Sequence, residues 1–142
     1  MSIILQNQDV KFNLKNKTKI KNWIKTVIAH YNKDLGDINY IFCSDSYILE
    51  LNQQYLDHNY YTDIITFDYC ENSFISGDIF ISIDTVKSNS ESFNTSFDHE
   101  LLRVIIHGIL HLIGFTDKTD EDQIKMRSLE DHAISLYLNH AN

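Results

Sequence analysis

Apolar residues recur along this chain at two spacings, and each spacing predicts a different element. Amphipathic helices are predicted where the spacing is three or four residues, over 18–32, 44–55 and 119–139. Strands are predicted where β-branched and aromatic residues cluster or alternate with polar ones, over 3–12, 37–43, 64–69 and 76–83. Residues 97–113 are almost entirely aliphatic from Leu101 onwards, which predicts a buried helix capped by Ser96. Residues 83–92 predict a short helix or a helical connection.

The order of these elements, β-α-β-α-β-β followed by helices, predicts an α+β fold. We expect one four-stranded mixed sheet covered by about five helices, in a single domain over residues 1–142. Gly36 is predicted to end the first β-α unit, and residues 70–75 are predicted to form a hairpin loop.

The composition is that of an ordinary globular protein, with 43% hydrophobic and 23% charged residues. No apolar run reaches the roughly 18 residues that a membrane-spanning helix needs. The first residues lack the pattern of a signal peptide, so a cytoplasmic location is expected. Cys43 and Cys70 fit a reducing compartment as free thiols.

Charge is distributed unevenly along the chain. The net charge of −8 argues mildly against a nucleic-acid-binding protein, but residues 1–33 hold seven lysines and one acid, Asp9. Five of these lysines lie around the start of the first predicted helix: Lys15, Lys17, Lys19, Lys21 and Lys25. They form either a patch that attracts phosphates or a solvated helix face.

The candidate chemistry lies in the buried helix. His107 and His111 are four residues apart, so they share one helix face with Cα atoms roughly 6 Å apart and can bind one metal ion. Gly114 ends the helix and Asp117 follows, which predicts three ligands and an open coordination position. Asp120 is the rival third ligand, although a cap at Thr119 would place it in the next helix.

Gly108 separates this pattern from that of the zinc proteases. Those enzymes have a catalytic Glu directly after the first His, and here that position is Gly108. A glycine inside a helix costs about 1 kcal/mol relative to Ala, which indicates close approach of another element or of a substrate. A purely structural histidine pair and a different metal hydrolase remain as alternatives.

Residues 107–115 read His-Gly-Ile-Leu-His-Leu-Ile-Gly-Phe. They resemble the His-Gly-x-Leu-His-Leu-x-Gly-Tyr-Asp-His signature of the YbeY-type bacterial rRNA maturation endoribonucleases. Residues 51–55 and 62–67 resemble the second motif of that family, and residues 77–82 resemble its third. The matches occur in the expected order.

The resemblance implies a zinc-dependent single-strand endoribonuclease with a zincin-like metal-site helix, acting in 16S rRNA 3′-end maturation and ribosome quality control. One divalent metal, expected to be Zn²⁺, would be bound by His107, His111 and Asp117. The implied partners are single-stranded RNA, the small ribosomal subunit and its assembly factors, without membrane or DNA. A non-catalytic, metal-stabilised ribosome-assembly factor is the alternative.

Two departures from the family pattern matter. Asp117 stands where the family has His, and two His with one carboxylate can also bind Fe(II), so the identity of the metal stays open. Leu56 stands where the family commonly has an Arg thought to contact RNA phosphate. Arg103 and His58 are the candidate substrate-binding replacements, unless Arg103 pairs with a nearby acid and His58 is a solvated loop residue.

The sequence assigns no general base, and a metal-activated water or the RNA 2′-hydroxyl would attack the phosphodiester. Three aromatic residues are candidates for stacking on unpaired bases, with packing as the other interpretation: Tyr60, Tyr61 and Phe115.

Overall fold

The computed structural model describes residues 1–55 and 62–139. Its elements in chain order are β1 (Ile3–Asn7), α1 (Lys17–His30), β2 (Asp34–Cys43), α2 (Asp45–Tyr55), β3 (Ile64–Asp68), β4 (Phe74–Ser82), α3 (Ile83–Ser92), α4 (Phe97–Ile113) and α5 (Asp120–Asn139). The predicted α+β class, with four strands and five helices among the described residues, is confirmed. Residues 83–92 form a helix.

The four strands form one mixed sheet in the order β1-β2-β4-β3. β2 pairs in parallel with both β1 and β4, whereas β3 pairs antiparallel with β4 through the predicted hairpin. The apolar positions of β4 therefore face the helices from the interior of the sheet. Its Ile75, Ile79 and Ile81 are all buried.

Three predicted strand boundaries were wrong. β4 begins at Phe74, inside the predicted loop of residues 70–75. β2 begins at Asp34 and runs through Gly36, because the register shifts there and a Cβ at Gly36 would lie 2.8 Å from the Ile75 carbonyl oxygen. β1 ends at Asn7 and does not continue to residue 12. The chain leaves the sheet there because the Asp9 carboxylate accepts hydrogen bonds from the Ser44 backbone N–H (2.9 Å) and hydroxyl (2.5 Å).

α4 lies directly on the sheet. A Cβ at Gly108 would lie 3.1 Å from methyl groups of Ile64 on β3 and Ile79 on β4, so the glycine permits close approach of the sheet. The buried Tyr40 hydroxyl donates a hydrogen bond to the Ile105 carbonyl oxygen at 2.7 Å. These contacts fix the height and rotation of α4, and with them the position of the histidine pair.

α5 packs beside α4 and α1. The Trp23 indole N–H of α1 donates to the Ala133 carbonyl oxygen at 2.7 Å, and its ring meets Tyr137 edge-on. Met126, Ala133 and Tyr137 are buried, whereas Leu129 is only half-buried. This packing holds α5 against the helix that carries the candidate ligands.

Both cysteines are free thiols, as predicted. Cys43 is buried, and burial raises its pKa to about 12, while burial also raises the pKa of the half-buried Cys70. None of the helices within residues 1–55 and 62–139 has the length and apolarity to cross a membrane.

The lysines around α1 lie at the surface. Lys15, Lys17 and Lys25 are exposed, and Lys19 and Lys21 are partly so. Lys19 places its Nζ 4.1 Å from the centre of the Tyr137 ring. Among the residues that the structure describes, none of these lysines forms an ion pair.

Candidate metal centre and active site

A cavity of about 430 Å³ lies between α4, α5 and the residues leading into β3. The three predicted ligands His107, His111 and Asp117 all line it, and so does Arg103. His58 and Leu56 fall outside the described residues. A cavity of about 480 Å³ near the start of α4 contains none of these predicted site residues.

The orientation of His107 is set by a buried carboxylate. Its Nδ1 lies 2.7 Å from Glu130 Oε2. Because an ionised carboxylate can only accept, Nδ1 carries a proton, so the neutral form of the ring has its lone pair on Nε2. Nε2 lies 3.5 Å from Asp117 Oδ2. Two ligands bound to one zinc by bonds of about 2.0–2.2 Å in tetrahedral geometry are roughly 3.4 Å apart, so this separation fits a shared ion.

Glu130 also connects His107 to Arg103. Only 5% of Glu130 is exposed, and its Oε1 accepts a hydrogen bond from Arg103 Nη1 at 3.0 Å. Arg103 Nη2 bonds Asp131 at 2.7 Å. The guanidinium is therefore held between two carboxylates, which is the alternative to phosphate binding that the sequence left open.

Burial lowers the pKa of His107, but the surrounding carboxylates outweigh it. Among the groups that raise the pKa of His107, Glu130 contributes most, through its hydrogen bond and its charge. The charges of Asp117 and Asp63 raise the pKa further. The net effect raises the pKa of His107 above its usual value. A cation in this cavity is favoured by the same negative charge that favours the protonated imidazole.

Asp117 is brought to the cavity by the turn between α4 and α5. Gly114 ends α4 with a φ of 127°, a conformation that favours glycine. Gln123 of α5 donates its side-chain amide to the Asp117 carbonyl oxygen at 3.1 Å. Thr119 caps α5 by accepting from the Asp122 N–H, so Asp120 lies in the first helical turn, as predicted.

The donor set fits a divalent cation. It comprises two imidazoles and a carboxylate, with one ring oriented by Glu130 as in the carboxylate–histidine–metal arrangement. Within residues 1–55 and 62–139, however, no three His, Cys, Asp or Glu side chains are grouped closely enough to hold an ion as they stand. The ligand set and the zincin-like character of α4 therefore stay predictions.

The sequence interpretation missed several residues of this cavity. Glu130, Glu100, Asp63, Arg127 and Phe93 all line it. Glu130 was detectable, because an acid among the inward positions of a helix needs a buried partner. Asp63 belongs to a quoted motif but had received no role.

The Asp63 carboxyl is destabilised in its charged form. Burial raises its pKa most, and the neighbouring charges of Glu130 and Asp117 raise it further. The charge of His107 and the backbone oppose this effect without cancelling it. Asp63 therefore weakens the fold at neutral pH while it adds negative charge to the cavity.

We expect Asp63→Asn to raise the melting temperature of the metal-free protein at pH 7. Because the folded pKa of Asp63 lies above its unfolded value of 3.8, wild-type stability falls as the pH rises from 3.8 through the folded pKa. The advantage of the variant should therefore disappear below pH 3.8. Thermal melts across pH test this, with the exposed Glu50→Gln as the control. An equal gain at all pH values would contradict it.

Comparison with known proteins decides the family. The family model described as Endoribonuclease YbeY matches residues 3–137. The chain belongs to the YbeY endoribonuclease family. An Endoribonuclease YbeY of Bacteroides fragilis is 53% identical over 136 residues, which are 96% of this chain and 98% of the relative. That of Phocaeicola vulgatus is 55% identical over 94% of this chain and 97% of the relative.

A solved structure has a similar fold. The solution structure of TM1509 from Thermotoga maritima matches with a TM-score of 0.65 and 29% identity. The match covers 96% of this chain and 92% of that protein. The solved structure supports the fold, and the family model and the relatives support the family.

The aromatic residues proposed to stack on bases lie elsewhere or outside the described residues. Phe115 meets the Tyr31 ring at 5.4 Å and packs against the core, which favours the packing interpretation. Tyr60 and Tyr61 fall in the part of the YbeY-family chain that is not described.

Proposed function

We propose that this YbeY-family protein is a metal-dependent endoribonuclease that hydrolyses single-stranded RNA in 16S rRNA 3′-end maturation and ribosome quality control. The observation that carries the proposal is the His107–Glu130 hydrogen bond, which leaves Nε2 3.5 Å from Asp117 in a cavity that His111 also lines. The endoribonuclease names of the relatives support the same chemistry. They do not favour the non-catalytic assembly factor.

His107, His111 and Asp117 would hold one divalent cation, with Zn²⁺ as the expected ion and Fe(II) as the alternative for two imidazoles and a carboxylate. When bound, the ion supplies Lewis-acid activation of water and of the phosphate. Glu130 keeps the proton of His107 on Nδ1, and Arg103 compensates part of the Glu130 charge. The general base stays unassigned.

The cavity of about 430 Å³ is lined by side chains of both signs of charge. Asp63, Glu100 and Glu130 add negative charge beside the ligands, whereas Arg103 and Arg127 supply cations. An RNA backbone must therefore approach with its phosphate near an arginine and the cation, away from the carboxylates. The proposal includes the small ribosomal subunit and its assembly factors as partners, and the cytoplasm as the location of the protein.

The activity is tested with purified protein, a single-stranded RNA and the matching duplex. We expect cleavage of the single strand and little cleavage of the duplex, because the bases and backbone of an unpaired strand can adapt to a site that a rigid duplex cannot follow. Elemental analysis of the same preparation should find about one transition-metal ion per chain, as a single three-ligand site requires. Turnover of a peptide without turnover of RNA, or a complete absence of bound metal, would contradict the proposal.

A further inference from the structure

Phe93 and Arg127 line the same cavity as the candidate ligands. Phe93 takes no part in the chemistry proposed above, and Arg127 enters it only as one of the two cations in the cavity. We propose that Phe93 is the platform on which one base of the RNA strand stacks, and that Arg127 binds a phosphate of that strand. The inference rests on the proposed function and names the two side chains that select and hold a single strand.

Phe93 is unusual for its position. The residue is 57% exposed, and single exposed apolar residues are common on protein surfaces. Among the large exposed apolar side chains of the described residues, however, only Phe93 lines this cavity. Polar residues that line the same cavity include Asn89, Glu100 and Arg127. The ring is therefore the one apolar aromatic face among the described residues that line this cavity, beside the aliphatic side chains of Ile64 and Val104.

The backbone around Phe93 is held firmly. Its N–H donates to the Asn89 carbonyl oxygen at 2.9 Å, at the end of α3. Asn94 then turns the chain with a φ of 55°, and the Thr95 N–H returns to the Ser90 carbonyl oxygen at 2.9 Å. Ser90 itself is buried. A ring presented from such a fixed end loses little conformational entropy when a base stacks on it.

Arg127 can bind a phosphate, whereas the guanidinium of Arg103 is already paired. It lies exposed on α5 and forms no ion pair with any residue in 1–55 or 62–139, whereas Arg103 is held by two carboxylates. Its charge acts on the buried Glu100, whose pKa it lowers against the larger effect of burial. A guanidinium in this state can form paired hydrogen bonds with a phosphate.

The two side chains together favour a single strand over a duplex. Stacking on an aromatic ring requires a base whose face is uncovered, and the bases of a duplex cover one another. An arginine contact adds affinity for the backbone without reading sequence. The pair therefore predicts weak base preference and strong discrimination against paired RNA.

Binding to the protein as purified is measured with a fluorescent 2′-O-methyl oligoribonucleotide, which cannot be cleaved by attack of a 2′-hydroxyl. Gel analysis of the same samples checks that water has not cleaved the strand during the measurement. We expect Phe93→Ala to weaken binding about tenfold, and Phe93→Trp to retain it, because stacking is lost in the first and kept in the second. Tyr69→Ala is the matched control, since Tyr69 is 58% exposed and does not line the cavity. Thermal melts check that each variant is folded.

Abasic nucleotides locate the stacked base. In wild-type protein, one abasic position along the oligonucleotide should weaken binding about as much as Phe93→Ala does. In Phe93→Ala, the same abasic nucleotide should cause no further loss of binding affinity. Equal losses at every abasic position in both proteins would overturn the platform.

Arg127→Ala has a different signature. It should weaken binding and reduce the slope of log affinity against log salt by about one, whereas Phe93→Ala should leave that slope unchanged. Arg127→Lys should keep the slope because it keeps the charge. An unchanged slope in Arg127→Ala would overturn the phosphate contact.

The cleavage assay separates the failure of this inference from that of the function. If wild-type protein cleaves single-stranded RNA and Phe93→Ala binds and cleaves it equally well, the inference is wrong and the endoribonuclease activity stands. Unchanged RNA binding by Phe93→Ala would make the ring a candidate protein contact instead. A wild-type protein that neither binds nor cleaves RNA removes both proposals.

Discussion

His107→Ala should abolish measurable RNA cleavage while leaving the protein folded. The imidazole is a proposed ligand, and losing several kcal/mol of metal-derived transition-state stabilisation corresponds to a rate decrease of about a thousandfold or more. His111→Ala should have the same effect, because either substitution leaves two of the three ligands. Initial rates on single-stranded RNA and metal content per chain are the measurements.

The matched control for this experiment is His132→Ala, which removes an exposed imidazole from α5. It should cleave at the wild-type rate and bind the same amount of metal. Thermal melts should show that both ligand variants unfold cooperatively, since the side chains of α4 that pack on the sheet are unchanged. Equal residual cleavage by every protein, including both ligand variants, would identify a contaminating nuclease and contradict the assignment.

Glu130→Gln should weaken both the site and the fold. The amide keeps the shape of the carboxylate but can donate to His107 Nδ1, which permits the tautomer whose Nε2 carries the proton and cannot bind a metal. Loss of such a supporting partner typically costs about 10- to 100-fold in metal affinity or activity. Arg103 also loses one of its two charged partners in a nearly buried position, so the free energy of unfolding should fall by about 3 kcal/mol.

Asp131→Asn is the control for Glu130→Gln. It removes the other partner of Arg103, but the Asp131 side chain is 60% exposed and exposed ion pairs contribute about 0–1 kcal/mol. Metal titration, urea unfolding and cleavage rates should therefore separate the two variants. Equal effects of both substitutions on metal affinity would show that Glu130 acts only through Arg103.

Local patterns were enough to predict most of the fold. The aliphatic run of α4 and its Ser96 cap have strong local signals, and the structure places the helix at Phe97–Ile113. The hairpin between β3 and β4 was also predicted, because a short segment that contains the polar residues Glu71, Asn72 and Ser73 separates two β-rich ones. The start of β2 was mispredicted at Gly36. A glycine at a register shift inside a strand has the same sequence signal as a glycine in a turn between two elements.

The candidate site was less predictable, since half of it depends on contacts between distant residues. The spacing of His107 and His111 is local and could be read directly. Glu130 is 23 residues from His107 and 27 from Arg103, and only the packing of α5 against α4 brings them together. Phe93, at the end of α3, and Arg127, on α5, line the same cavity, and no short-range sequence pattern predicts that these two residues lie on one cavity.

Because α4 packs so closely on the sheet, the position of the proposed metal ligands depends on side chains outside the site. The space that Gly108 leaves is filled by methyl groups of Ile64 and Ile79, and Ile64 also lines the cavity. Any added carbon at position 108 must be matched by a smaller side chain at 64 or 79, or the helix is lifted and the histidines move with it. These three positions should therefore change together among homologues, as a coupled set that evolution can alter only in compensating steps.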